Sequence, residues 1–356
     1  MKKKITWFVK AFVACVVAFG ILTGFCSFYY NLPIHYTNPK KSTDYYWEEN
    51  SGSVKCTEGF AKVKVDDKGF VNTYIPKSEN IDALIMGSSH TEAFNVAEYE
   101  NYTYLLNEKF SGNENDLYFY SIGTSGHTFQ RCLRNLESAV KEFNPQEFIV
   151  IETVSVNLSL EEIEDIQNGT LDYLPSHDSG LIYYLQKSDL FRLLYAQFSN
   201  VVKNENLPSF DFLKPEEVSN DTENLPGDSV SVEYEKSLDS VLKRCSEIAK
   251  NNDCKLIIAY IPQLEIDYNG NVMEEENTIE QKIFEKNCKK YDIGFVNMYE
   301  SFANYYDENN VLLQGFSNTG IGVGHINKHG HSVIADELYS YIMEGNEKWI
   351  FPVSAL

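Results

Sequence analysis

Ile81-Asp82-Ala83-Leu84-Ile85-Met86-Gly87-Ser88-Ser89-His90-Thr91 is the stretch on which the reading of this chain turns. An apolar run of strand length ends in a glycine and two serines, and polar residues suited to a first helical turn follow. The pattern recurs at residues 117–122, where a strand-like run leads into Gly123-Thr124-Ser125-Gly126-His127-Thr128. Further strand-like runs lie at 147–152, 255–261 and 294–298. Helical periodicity fills 128–142, 234–251, 278–291 and 328–343, and in the last of these Val333, Ile334, Leu338, Tyr341 and Ile342 form one apolar stripe. Such alternation predicts an α/β fold: a three-layer, flavodoxin-like parallel sheet of about five strands with helices on both faces. Ligands of such sheets bind beyond the carboxyl ends of the strands, where both Gly/Ser turns fall.

Outside this repeat the chain changes character. Residues 11–30 form an uncharged apolar stretch preceded by Lys2, Lys3, Lys4 and Lys10. Twenty helical residues match a bilayer's hydrocarbon core, about 30 Å, and the preceding lysines place the N-terminus in the cytoplasm. The competing reading is a cleaved signal peptide, against which stand the length of the run and Phe25 before Cys26, where a processed lipoprotein needs a small residue. The organisation expected is lysines and anchor at 1–31, a juxtamembrane linker and lead-in at 32–80, an α/β domain at 81–346 with an insertion at about 158–230 over the catalytic edge, and a tail at 347–356. The lead-in reads as irregular or short β structure around 60–74. The insertion contains an aromatic helix-like segment at 181–198, for which a buried face outweighs sugar stacking.

Composition narrows the function classes. At 43% hydrophobic and 23% charged residues the chain is ordinary globular protein, but its net charge is −22 despite the four N-terminal lysines. A body so acidic repels nucleic acid, so no nucleic-acid partner is expected. The seven cysteines show no CxxC and no zinc-like spacing with histidine.

The turns carry the candidate chemistry. Glycine before serine permits a sharp bend that lifts a hydroxyl above the sheet edge, while a serine there equally suits a helix N-cap. Gly126 leaves room for a substrate oxygen, or supplies turn geometry alone. Gly324-His325-Ile326-Asn327-Lys328-His329-Gly330-His331 opens the last helix, with His325 at its loop-to-helix boundary and able to reach a nucleophile on the first strand if that helix packs back.

In order and setting these motifs resemble those of the SGNH, or GDSL-type, hydrolases over residues 81–343. The resemblance implies Ser89 as nucleophile, with Ser88 replacing the usual aspartate and grouped with the substrate-binding residues. It implies His325 as general base, and Gly126 and Asn157 as oxyanion donors. No metal or organic cofactor is implied. The triad carboxylate is missing from its expected place, since Gly322 and Val323 precede His325. A backbone carbonyl at Gly322 or a neighbour, a carboxylate from elsewhere that the sequence does not identify, or a dead site would each account for this. The leading expectation is an anchored, extracytoplasmic esterase acting through a Ser-His dyad on an acylated small molecule or glycan. Its rivals are an O-acyltransferase of cell-surface polysaccharide beside a multi-span membrane acyltransferase partner, and an inactive glycan-binding or assembly subunit.

Overall fold

The computed structural model describes residues 2–29, 35–37, 45–55, 58–78, 80–112, 116–168, 185, 188–191, 194, 232–273 and 278–349. Five strands form one wholly parallel sheet: β5 (Ala83–Met86), β6 (Phe119–Ser121), β7 (Phe148–Thr153), β8 (Lys255–Tyr260) and β9 (Gly294–Asn297), in the order β6-β5-β7-β8-β9. The chain starts near one edge, steps outward to β6, then returns across β5. The carboxyl ends of β5 and β7 therefore flank the point where winding reverses, and a crevice opens there.

Side-chain alternation along the strands sorts the core into two halves. Leu84, Met86, Ile149, Ile151, Leu256 and Ile258 face α4 (Phe129–Phe143), α5 (Leu160–Asn168), α6 (Val232–Asn251) and α7 (Ile279–Tyr291). Ala83, Ile85, Phe148, Val150, Ile257 and Ala259 face α3 (Tyr102–Phe110), α8 (Tyr299–Asn309) and α9 (Lys328–Trp349). Each fully buried aliphatic side chain contributes about 1.5–3 kcal/mol, so both faces must be covered, and they are. Within the expected stripe of α9, Val333, Ile334, Leu338 and Ile342 are buried whereas Tyr341 remains 39% exposed.

Two asparagines close the open edge of β6. Asn107 exchanges hydrogen bonds with the backbone of Phe119, and Asn72 does the same with Ser121, at 2.7–3.0 Å. Side-chain amides thus replace the missing neighbouring strand.

Residues 158–230 do not begin as an excursion, because α5 buries Ile163 and Ile166 in the core. The aromatic segment 181–198 lies largely outside the described residues. The lead-in has short β structure within the 60–74 stretch, and β structure also begins earlier. Strands β1 (His35–Thr37) and β2 (Tyr45–Trp47) pair, as do β3 (Gly52–Lys55) and β4 (Ala61–Lys64). Ala61, Val63, Val65 and Val71 enclose a small core with Phe94, and Trp47 packs on it. The N-terminal helix α1 (Lys2–Tyr29) contains Thr6–Ser27, the one helix among the described residues long and apolar enough to cross a membrane.

Candidate functional site

The turn after β5 satisfies both readings of its serines. Ser88 is the N-cap of the short helix α2 (Ser89–Glu92), its Oγ accepting the His90 N–H at 3.3 Å. Ser89 is therefore the first helical residue, with a backbone N–H that no preceding carbonyl of the helix can satisfy. Glycine is required on both sides of this turn. A Cβ on Gly87 would lie 2.0 Å from Thr91 Oγ1, and one on Gly123 would lie 2.4 Å from the Glu92 nitrogen. Helix α2 ends after one turn at Ala93, a non-glycine residue in left-handed conformation.

His325 reaches Ser89 from a strand, not from a loop-to-helix boundary. Strands β10 (Gln314–Gly315) and β11 (Ile321–Ile326) pair antiparallel, with Gly315 opposite Ile321 and Gln314 opposite Ile326. Residues 322–325 therefore bulge out, helped by positive φ at Gly322 and Gly324. Bulges re-aim side chains, and this one presents His325 to the Ser88-Ser89 turn. Its Nε2 lies 2.8 Å from Ser89 Oγ, across 236 residues of sequence.

The carboxylate missing from the C-terminal motif comes from the lead-in. Glu58, in the loop between β3 and β4, places Oε2 2.5 Å from His325 Nδ1 and Oε1 2.8 Å from the His325 backbone nitrogen. A carboxylate accepts, so Nδ1 carries the proton and Nε2 is left to accept the Ser89 hydroxyl. The approach depends on Gly324, where a Cβ would stand 2.4 Å from Glu58 Oε1. Asn318, between β10 and β11, clasps the next residue: it accepts from the Gly59 N–H at 2.9 Å and donates to the Gly59 carbonyl at 3.0 Å. Asn95 donates to the Glu58 carbonyl at 3.1 Å. Of the three ways to fill the gap at Gly322, the contact made is thus to a carboxylate from elsewhere; the Gly322 carbonyl instead accepts from Gln263 Nε2 at 3.2 Å.

The other expected site residues fare differently. Ser88 points inward: its N–H and Oγ both donate to Glu152, at 2.8 and 3.0 Å, which suits positioning rather than substrate contact. Gly126 has φ +79° in a turn closed by the His127 N–H on the Thr124 carbonyl. That turn abuts the Gly87-Ser88-Ser89 block, since the Thr124 N–H donates to the Gly87 carbonyl at 3.0 Å. The Ser125 N–H and Oγ donate to Glu92, which also accepts from Trp47 Nε1 at 2.5 Å. Asn157 lies exposed beyond β7, and its one hydrogen bond among the described residues runs from its N–H to Ser155 Oγ.

Other histidines surround the site without sharing its geometry. His90 accepts the Ile326 N–H on Nδ1, and its ring lies 5.3 Å from that of His325. Burial, and the proximity of His325, push its pKa down to about 3. His331 is buried against Tyr102, with its pKa pushed down to about 3 by burial first and by His90 and His325 next. His127 is pushed down to about 4 by burial and by Arg131 and Arg134. In the unfolded chain all three titrate near 6.5, so between that value and about 3 the unfolded state binds more protons. Stability therefore rises with pH through this window and is lost as pH falls. Urea melts at pH 7, 5.5 and 4.5 are expected to show midpoints falling at each step; a constant midpoint would contradict the neutral, buried assignment.

No family model matches the chain, and no curated protein matches it significantly. Solved structures do align with it. A psychrotrophic esterase, EstA, from Pseudoalteromonas sp. is 15% identical over 76% of this chain and 98% of its own, with a TM-score of 0.38. An acetyl xylan esterase is 14% identical over 73% and 99%, with a TM-score of 0.39. A lipase/acylhydrolase from Enterococcus faecalis is 12% identical over 74% and 95%, with a TM-score of 0.38. At this level of likeness, what the site does has to be derived from its own geometry.

Proposed function

We propose that the chain is a membrane-anchored serine ester hydrolase of the SGNH type, working through Ser89, His325 and Glu58. The observation that carries this reading is the unbroken hydrogen-bonded line from Ser89 Oγ through the His325 ring to Glu58, at 2.8 and 2.5 Å. Ser89 Oγ attacks the ester carbonyl as His325 Nε2 takes its proton, and Glu58 stabilises the imidazolium that forms. The oxyanion is received by the Ser89 N–H and, across the adjoining turn, by that of Gly126. His325 returns its proton to the departing alcohol, and water then cleaves the acyl-enzyme by the reverse use of the same groups. The lysines before the Thr6–Ser27 helix favour a cytoplasmic N-terminus and an extracytoplasmic site.

A fluorophosphonate probe tests the nucleophile without knowledge of the substrate. Mass spectrometry of the labelled full-length protein is expected to find a single adduct, on Ser89; no adduct, or one elsewhere, refutes the assignment. Transfer to a cell-surface glycan, with a multi-span membrane acyltransferase as donor, uses the same acyl-enzyme and differs only in which hydroxyl arrives second. Comparing acyl transfer to a polysaccharide acceptor with release of free acid separates the two. The inactive-subunit reading drew on the missing aspartate and on the altered first block, and Glu58 speaks against the first of these.

A further inference from the structure

Beneath the nucleophile turn lies a second carboxylate that the mechanism above leaves unused. Glu152, at the end of β7, is only 2% exposed. One of its oxygens, Oε2, receives three donors: the Ser88 N–H at 2.8 Å, Ser88 Oγ at 3.0 Å and Thr91 Oγ1 at 2.9 Å. Thr91 Oγ1 in turn lies 2.7 Å from the Tyr102 hydroxyl on α3. An oxygen with three donors converging on it is an acceptor, which is the behaviour of an ionised carboxylate. Gly87 keeps the approach open, because a Cβ there would stand 2.5 Å from Oε2.

A buried charge normally has a counter-charge, and Glu152 makes no ion pair among the described residues. It faces Ala259 on β8 across the sheet and, on the other side, Gly87 in the turn just after β5. From α2 it meets Ser88 and Thr91, and from α3 the Tyr102 hydroxyl through Thr91. Among the described residues no lysine or arginine hydrogen-bonds or ion-pairs with it, and the neighbouring group that becomes cationic is His325, on the bulged strand. Burial leaves the Glu152 pKa raised above the usual carboxylate range, and its hydrogen bonds, then His325, offset that only in part.

We infer that Glu152 is a positioning residue that also acts electrostatically, fixing the Ser88-Ser89 turn and supplying a second negative charge that favours the His325 imidazolium during acyl transfer. The charge is matched only when Ser89 gives up its proton, so it favours the transition state over the resting enzyme. This role rests on Ser89 and His325 acting as nucleophile and base, and the experiment below keeps the two apart.

The measurement is the rate of fluorophosphonate labelling of Ser89 in the full-length protein, followed against pH. Labelling needs neutral His325, so its acid limb reports the His325 pKa. In Glu152→Gln the shape is kept and the charge removed. The plateau is expected to fall about tenfold or more, and the acid limb to move to lower pH by about half a unit or more. Glu152→Asp, which keeps the charge, is expected to label slowly with its limb near the wild-type position. A Gln limb that stays in place, or an Asp limb that moves as far as the Gln limb, leaves Glu152 a structural residue and overturns the inference. Should the Gln variant fail to fold, Ser88→Ala gives the opposite reading: one donor is lost from the carboxylate, its charge is less neutralised, and the limb should move upward. A Ser88→Ala limb that stays in place then overturns the inference. Absence of labelling in the wild-type protein would instead reject the nucleophile assignment itself.

Discussion

Ser89→Ala is expected to lower ester cleavage by about 10⁶-fold, leaving a residue of catalysis from binding and oxyanion contacts alone. The size follows from what the hydroxyl does. Its hydrogen bond runs to His325 Nε2, and no other group in the described site can take its place as nucleophile. Ser88 is adjacent, but its Oγ donates to Glu152 and caps α2. The loss should come almost entirely in kcat, since the ester is still bound but not attacked. Stability should change by no more than about 0.5–1 kcal/mol, because the alanine methyl removes one hydrogen bond without opening a cavity. Initial rates on a short-chain aryl ester, with a urea melt of the same preparation, check both. Activity above about 1% of wild type would mean that a different group carries the chemistry. The contrast with Ser88→Ala is informative, because that change loosens the turn yet leaves the nucleophile in place.

The parallel sheet was readable because its signal is local and repeated. Runs such as Ala83–Met86 and Phe148–Ile151 are apolar on both faces, as only a strand covered from both sides needs to be. The Ser89 turn was readable for a related reason: Gly87-Ser88-Ser89 sits where a strand end and a helix start coincide. The route by which His325 arrives was harder to see. A Gly-rich segment reads as loop, and nothing in the residues 320–324 announces a hairpin whose second strand bulges by four residues before the last helix. Glu152 did leave a trace, as an acidic residue closing the apolar run Phe148-Ile149-Val150-Ile151. Burial of such a group at the carboxyl end of a central strand already points to a partner at the site. Glu58 left almost none. It acts across 267 residues from outside the strand-helix repeat, so neither periodicity nor motif spacing constrains it. Its one sign was the alternation in Ala61-Lys62-Val63-Lys64-Val65, which marks a half-buried strand and hence a lead-in that packs on the domain.

Glu58→Gln should cost about 10⁴ in kcat, the scale seen when an amide replaces the orienting carboxylate of a serine hydrolase. The carboxylate can only accept, and so it holds the His325 proton on Nδ1. Glutamine presents either its oxygen or its NH2 group. With the NH2 group toward Nδ1 the ring changes tautomer, Nε2 carries the proton, and the Ser89 hydroxyl loses its base. With the oxygen toward Nδ1 the tautomer survives, but the negative charge that stabilises the imidazolium is gone. Both orientations leave KM nearly unchanged, because Glu58 meets His325 rather than the ester. Gly324→Ala should approach the same loss by a different route: the added Cβ overlaps Glu58 Oε1, and alanine is strained at a φ of +90°. The two changes act on one contact, so the double variant should be little worse than Glu58→Gln alone. If the two losses instead multiply, Gly324 acts on something other than the Glu58–His325 contact. If Glu58→Gln retains more than about a tenth of the wild-type kcat, the carboxylate is not the third member of the triad, and His325 works as half of a dyad.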